Sequence, residues 1–143
     1  MEKTILEPVG LIPAGGKAAR ISPLPCSKEI LPVGFGDNIS RGRNHPKVAA
    51  HYLLDQFSRA GARCAYVVLS RGKWDIPAYF GSGNMANVAM AYLMTDVPYG
   101  VPFTIDNAFP FLADKLVLFG FPDILLEPGD VYTRLIDRYY CSR

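Results

Sequence analysis

Short apolar runs alternate along this chain with stretches of helical period. Val9 to Ala14 is continuously apolar and stops at Gly15-Gly16, which predicts a buried strand. Ile30 to Gly34 predicts a second, shorter extended piece, and the polar, glycine-containing stretch Gly36 to Asn44 a loop. Pro46 then suits the first turn of a helix, with Asn44 or His45 near its cap. In that helix Val48, Tyr52, Leu53, Phe57 and Ala60 share a face, and Gly61 ends it. Cys64 to Ser70 predicts a strand, Asp75 to Phe80 a short helix, and Gly81 to Gly83 a turn. Val88 to Met94 predicts a strand and Pro98-Tyr99-Gly100 a turn. Val101 to Ala113 follows as a helix that Pro110 must end or bend. Leu116 to Phe121 is another apolar strand. Asp130 can cap a last helix that carries Val131, Leu135, Ile136 and Tyr139 on one face.

Near-continuous apolar strands alternating with helices predict a Rossmann-like α/β fold, a mostly parallel sheet covered by helices on both sides in three layers. Such sheets bind ligands at the carboxyl ends of their strands. The loop after Ala14 lies at one such end, and Asp123 lies just past another. The two face one crevice if their strands are neighbours.

Composition narrows the function classes. The 143 residues suit one domain spanning 1–143, and half of them are hydrophobic. A net charge of +2 with no block of like charge argues against a nucleic-acid partner. Cys26, Cys64 and Cys141 lack metal or disulfide spacing and read as reduced thiols of a cytoplasmic protein. No apolar run has the length of a membrane span, and the first residues do not resemble a signal peptide. His45 and His51 have no metal-ligand company. Arg41, Arg43, His45 and Lys47 read as a solvated basic loop, and Trp74 as a packing residue.

The chemistry concentrates in VGLIPAGGKAARISPLPCSKEILPV, residues 9–33. Glycines after a strand let the backbone approach a ligand and aim N–H groups at anionic oxygens. Lys17, Arg20 and Lys28 add positive charge, and arginine suits bidentate phosphate contacts. A polyphosphate is the natural ligand, with a tight turn and a solvated basic edge as the alternative. The Walker A pattern fails at Leu11 and Ala18, and the dinucleotide fingerprint fails because only Gly15 and Gly16 are present.

Ala14-Gly15-Gly16, Arg20 and Pro23, followed by Ser27-Lys28-Glu29 and Leu31-Pro32, resemble the signature loop of the sugar-1-phosphate nucleotidylyltransferases. Ser-Lys-Glu-Ile-Leu-Pro-Val is closest to the uridylyltransferase form. Pro46-Lys47 with Ala60-Gly61, Val67 to Lys73, Tyr92 to Gly100 and Leu116 to Asp123 extend the resemblance over most of the chain. It implies that Ala14, Gly15 and Gly16 lie against a nucleoside triphosphate such as UTP or dTTP. Arg20 would hold the β- and γ-phosphates and Lys28 would neutralise charge near the α-phosphate. Thr95 and Gly100 would lie at the base, and Asp123 would bind Mg2+. The implied reaction joins a nucleoside triphosphate to a sugar-1-phosphate and releases pyrophosphate.

Each implied role has a plainer counterpart. Arg20 can be solvated, Lys28 can pair with Glu29 or cap a short helix, and Asp123 can end a strand in an Asx-type turn. The sequence also departs from the family. Ala18 replaces a glycine, Ala19 a threonine and Thr95 the base-reading glutamine; Pro122 precedes Asp123 where the family has glycine; and Pro23 to Lys28 is shorter than usual. Family members run to about twice this length, and their second half supplies a sugar-phosphate lysine and a second metal-binding aspartate. The resemblance is therefore to a truncated nucleotidyltransferase fold. Three readings stay open: an enzyme completed by another subunit, a nucleotide-binding protein without turnover, and an interaction protein that keeps only the fold. A sheet stopped midway exposes an edge, so a homo-oligomer is expected.

Overall fold

Alternate residues of the first apolar run face opposite sides of one sheet, and both sides are covered. The computed structural model describes residues 5–38, 43–96 and 100–142. In chain order its elements are β1 (Glu7–Ala14), a 3-10 turn at Lys28–Ile30, β2 (Pro32–Asn38), β3 (Arg43–Val48), α1 (Ala49–Arg59) and β4 (Cys64–Ser70). Then come α2 (Asp75–Phe80), a 3-10 turn at Asn84–Ala86, β5 (Ala89–Thr95), α3 (Val101–Leu112), β6 (Lys115–Phe119) and α4 (Val131–Cys141).

The main sheet has the order β5-β4-β1-β6, and every pair in it is parallel. Ile12, Ala65, Val67, Leu69 and Leu118 face one side, where they meet Leu53, Leu54 and Phe57 of α1, Ile76 and Phe80 of α2, and Tyr132 of α4. Val9, Leu11 and Val68 face the other side and pack against Ala108 and Leu112 of α3. This is the three-layer α/β arrangement that the sequence predicts. Gly10 makes the first packing possible. A Cβ there would lie 2.5 Å from Phe57 Cδ2 and 3.0 Å from the Ala65 Cβ, so the phenyl ring rests directly on the β1 backbone.

The predicted loop at Gly36 to Asn44 and helix start at Pro46 need correction. β2 continues to Asn38 and β3 begins at Arg43, so the segment is an antiparallel hairpin whose residues 39–42 lie outside the described part. Pro46 sits in β3 opposite Phe35, and the helix starts only at Ala49. A two-stranded ribbon has an open edge on each strand, which is where a residue lacking an N–H is tolerated.

At the other end of α1 the prediction holds. Gly61 has φ +85°, its N–H donates to the Ser58 carbonyl, and the Ala62 N–H reaches back to the Phe57 carbonyl. That pairing is the Schellman closure glycine permits. Pro110 lies inside α3, which runs on to Leu112 before stopping. Asp130 stands at the start of α4, but its carboxylate accepts from Arg134 Nε at 2.9 Å and makes no side-chain cap. The buried residue of that helix is Tyr132, while Leu135 faces solvent. Of the predicted turn at Pro98-Tyr99-Gly100, the first two residues lie outside the described part.

Candidate functional site

Neighbouring strands bring the two predicted loops together. β1 and β6 pair in parallel, with Leu11 beside Phe119, and the Gly120 N–H donates to the Leu11 carbonyl at 3.2 Å. The chain therefore leaves both strands at the same rim. There a cleft of about 180 Å3 is lined by Gly15, Gly16, Lys28, Gly100, Thr104 and Asp123, among others. Lys28 Nζ meets Asp123 Oδ2 at 2.5 Å. Lys28 also lines an adjoining polar cleft of about 350 Å3, together with Lys17, Ser22, Ser27 and Lys73.

The loop after β1 is pinned from below. The buried Ser70 hydroxyl, at the end of β4, donates to the Gly15 carbonyl at 2.9 Å. Gly100 opens α3 with φ +107°, a conformation side chains rarely adopt. Gly16 differs from both. Its φ is ordinary and a Cβ there would meet nothing within 4 Å, so nothing in the chain itself requires glycine. Ala18, where the resembled signature loop has glycine, has φ +51°. Its methyl group carries the left-handed penalty that glycine would avoid, about 1–2 kcal/mol.

Lys28 is carried by a braced turn. On one side of it, the Ser27 N–H and hydroxyl donate to the two carboxylate oxygens of Asp75, at 2.6 and 2.7 Å. On the other, Glu29 accepts both contacts of Lys73 Nζ, at 2.9 and 2.8 Å. Glu29 is 1% exposed and the Lys73 side chain 10%, so this pair is buried. Burial alone would raise the Asp75 carboxyl, but the Ser27 bonds and nearby backbone N–H groups outweigh it and hold it below its ordinary value.

Of the predicted site residues, the cleft gathers Gly15, Gly16, Lys28, Gly100 and Asp123. Ala14 ends β1 inside the core. Arg20 sits exposed in the turn closed by the Ile21 N–H to the Ala18 carbonyl, and does not line this cleft. Thr95 is buried at the end of β5, beside Ser70 in register, and does not line it either. Lys28 pairs with Asp123 rather than with Glu29, whose carboxylate belongs to Lys73. Trp74, the residue before α2, is 60% exposed and is not a core packing residue. His51 Nε2 lies 3.2 Å from the Met85 carbonyl. All three cysteines are free. No described helix is long and apolar enough to cross a membrane.

Sequence reasoning missed Lys73 and Asp75 as neighbours of the loop. The one available signal was an acid, Glu29, set directly against the apolar run that follows it, where a buried carboxylate needs a cation.

Among the described residues no group of three or more His, Cys, Asp or Glu side chains could hold a metal ion. The cleft offers the Asp123 carboxylate, one oxygen of which meets Lys28, since Glu29 is engaged by Lys73. A single carboxylate is within the range magnesium takes, its shell otherwise completed by phosphate oxygens and water.

No protein-family model and no curated protein matches the sequence. Solved structures do match. One, assigned as a glucose-1-phosphate thymidylyltransferase from Bacillus anthracis and crystallised with sucrose, superposes with a TM-score of 0.80 at 16% identity. The match covers 95% of this chain and 51% of that one. This is a nucleotidyltransferase fold. A UDP-glucose pyrophosphorylase complexed with UDP-glucose superposes with a TM-score of 0.70 at 17% identity, over 95% of this chain and 54% of that one. The chain thus spans about half the length of each nucleotidyltransferase it resembles.

Proposed function

We propose that this chain is the nucleotide-binding half of a sugar-1-phosphate nucleotidyltransferase and binds a nucleoside triphosphate at the β1–β6 rim. One observation carries the reading: Lys28 and Asp123 meet beside Gly16, a glycine that the chain's own packing does not require. A backbone free of Cβ atoms beside a cation and a carboxylate is what close approach of a metal-bound phosphate needs.

In the family reaction a phosphate oxygen of the sugar-1-phosphate attacks the α-phosphorus, a new P–O bond forms, and the bond to pyrophosphate breaks. The protein's part is positioning and charge stabilisation. The N–H groups of the Gly15–Gly16 turn would face phosphate oxygens, and the Lys28 ammonium would offset charge at the α-phosphate. Asp123 would hold magnesium, which neutralises phosphate charge when bound. Asp123 must leave Lys28 for this, and both are then free for ligand. Arg20, exposed on the same loop, would reach the outer phosphates.

A second reading has its own support. Lys28 and Asp123 are paired with each other across the cleft, which favours a protein that binds nucleotide, or a partner chain, without turnover.

Titration of the purified protein with UTP, dTTP, CTP, ATP and GTP, each with Mg2+, tests the proposal. We expect one triphosphate to bind, and Lys28→Ala and Arg20→Ala each to weaken it at least about tenfold, the scale of a lost charge-assisted contact. Release of pyrophosphate on adding a sugar-1-phosphate then separates the enzyme from the non-catalytic protein. Absence of binding by every triphosphate at millimolar concentration would overturn the nucleotide reading.

A further inference from the structure

We propose that Glu29, Lys73 and Asp75 are positioning residues that fix Lys28 at the rim, and that Lys73 is not itself a phosphate ligand. The inference rests on the nucleotide-site reading for its consequence, but its geometry stands alone.

Lys28 belongs to a single 3-10 turn, too short to hold a direction by its own hydrogen bonds. Its two chain neighbours are instead held from outside. Ser27 is gripped through main chain and side chain by Asp75, and Glu29 is gripped through both carboxylate oxygens by Lys73. Both grips come from one segment, Lys73 in the turn between β4 and α2 and Asp75 at the first residue of α2. That turn starts at Ser70, which also holds the Gly15 carbonyl. A single element therefore sets the Gly15 loop and the Lys28 turn relative to each other.

Charge separates the lysines into two jobs. Lys73 faces the adjoining polar cleft in sequence company that suggests an anion site, Arg71-Gly72-Lys73. Its ammonium is, however, buried and neutralised by Glu29 at two contacts, and a phosphate could recruit it only by stranding a carboxylate that is 1% exposed. Stranding a buried charge is costly, so the pair stays closed. Lys28 has a half-exposed partner, Asp123, and can be released. The closed pair holds still while the open pair exchanges partners.

The test uses the double variant Glu29→Gln/Lys73→Met, which removes both charges at nearly constant volume and strands neither. Competitive amine labelling at one fixed pH, read by mass spectrometry, reports how freely Lys28 reacts. Thermal melting reports whether the variant folds. The proposal expects a folded double variant in which Lys28 labels several-fold faster than in the wild type. It also expects nucleotide affinity to fall about tenfold, the scale for loss of a residue that orients a ligand group. Asp75→Asn should move both readouts in the same direction, and it carries the test if the double variant does not fold. Unchanged Lys28 labelling in a folded variant would overturn the proposal. Should the wild type bind no nucleotide, labelling still decides the brace, and the function reading fails separately. Binding lost with Lys28 labelling unchanged would show Lys73 acting on the ligand directly and would also overturn it, as would unchanged or tighter nucleotide binding in a variant whose Lys28 labels faster, because Lys28 would then need no fixing.

Discussion

On one side of the sheet Phe57 and Tyr132 meet edge to face, with ring centroids 4.9 Å apart, over the bare backbone of Gly10. On the other side α3 rests on Val9, Leu11 and Val68, turns Phe103 and Phe109 outward and leaves Phe111, stacked on Tyr66, half-exposed. The first side is closed by three helices; the second is covered by one proline-containing helix. The open side adjoins β6, one of the two edge strands, where Val117 is exposed, as are Phe121, Ile124 and Leu125 just after it. A closed core and an exposed apolar surface thus share one sheet. The structural neighbours carry about as much chain again outside the matched part. Aromatic side chains that point outward in a group mark a contact surface more often than chance exposure does.

Truncating one phenylalanine on each side sharpens the contrast most. Phe57→Ala removes a fully buried ring that also lines the packing of Tyr132, and should cost about 3–5 kcal/mol in denaturant unfolding. Phe109→Ser, at a residue 67% exposed, should change stability by less than about 0.5 kcal/mol. Equal losses at the two sites would mean that α3 is better packed than its exposure indicates, and the contrast would fall.

The edge comes next. β6 pairs with β1 on one side, and among the described residues no strand pairs with the other. Beside it, Leu116, Tyr132, Leu135, Ile136 and Tyr139 frame an apolar groove of about 260 Å3 between β6 and α4. If copies of the chain associate through this edge, sedimentation should show a concentration-dependent oligomer. Val117→Lys should then weaken it about tenfold, because a charge on an edge strand opposes pairing. A wild-type protein that stays monomeric at high concentration would remove self-association from the account.

Much of this organisation is legible in the sequence, for a physical reason. Strands buried on both faces leave apolar runs such as Cys64–Ser70, and that strand is found with its predicted bounds. The short helix Asp75–Phe80 is likewise found as predicted, and glycine punctuation places the end of α1. The hairpin from Pro32 to Val48 was not legible, because a two-stranded ribbon has little buried face to imprint alternation. Proline at 46 imitates a helix start there. At the rim, Gly15, Gly16 and Lys28 lie together because the loop leaving β1 is a local feature of the sequence, while Arg20 of the same loop does not line the cleft. The Glu29–Lys73 and Ser27–Asp75 contacts join residues more than forty positions apart, and no local pattern records such pairing.

The smallest effect lies within the closed side and tests whether its polar seam matters. The Tyr132 hydroxyl donates to the Phe119 carbonyl at 2.7 Å, joining α4 to the end of β6. Tyr132→Phe keeps the ring on Phe57 and deletes this bond, at an expected cost of about 1 kcal/mol near neutral pH. Burial also pushes the Tyr132 phenol above its ordinary pKa. Above pH ~10 the unfolded chain ionises this phenol while the folded chain holds it neutral, so the unfolded state gains. The stabilisation is complete below the unfolded pKa and is lost as pH rises through the folded one. The gap between wild type and Tyr132→Phe in unfolding free energy should therefore narrow in alkaline solution. A gap that stays constant from neutral to strongly alkaline pH would mean that the phenol is wet, and that α4 covers its side of the sheet more loosely than the Phe57–Tyr132 contact implies.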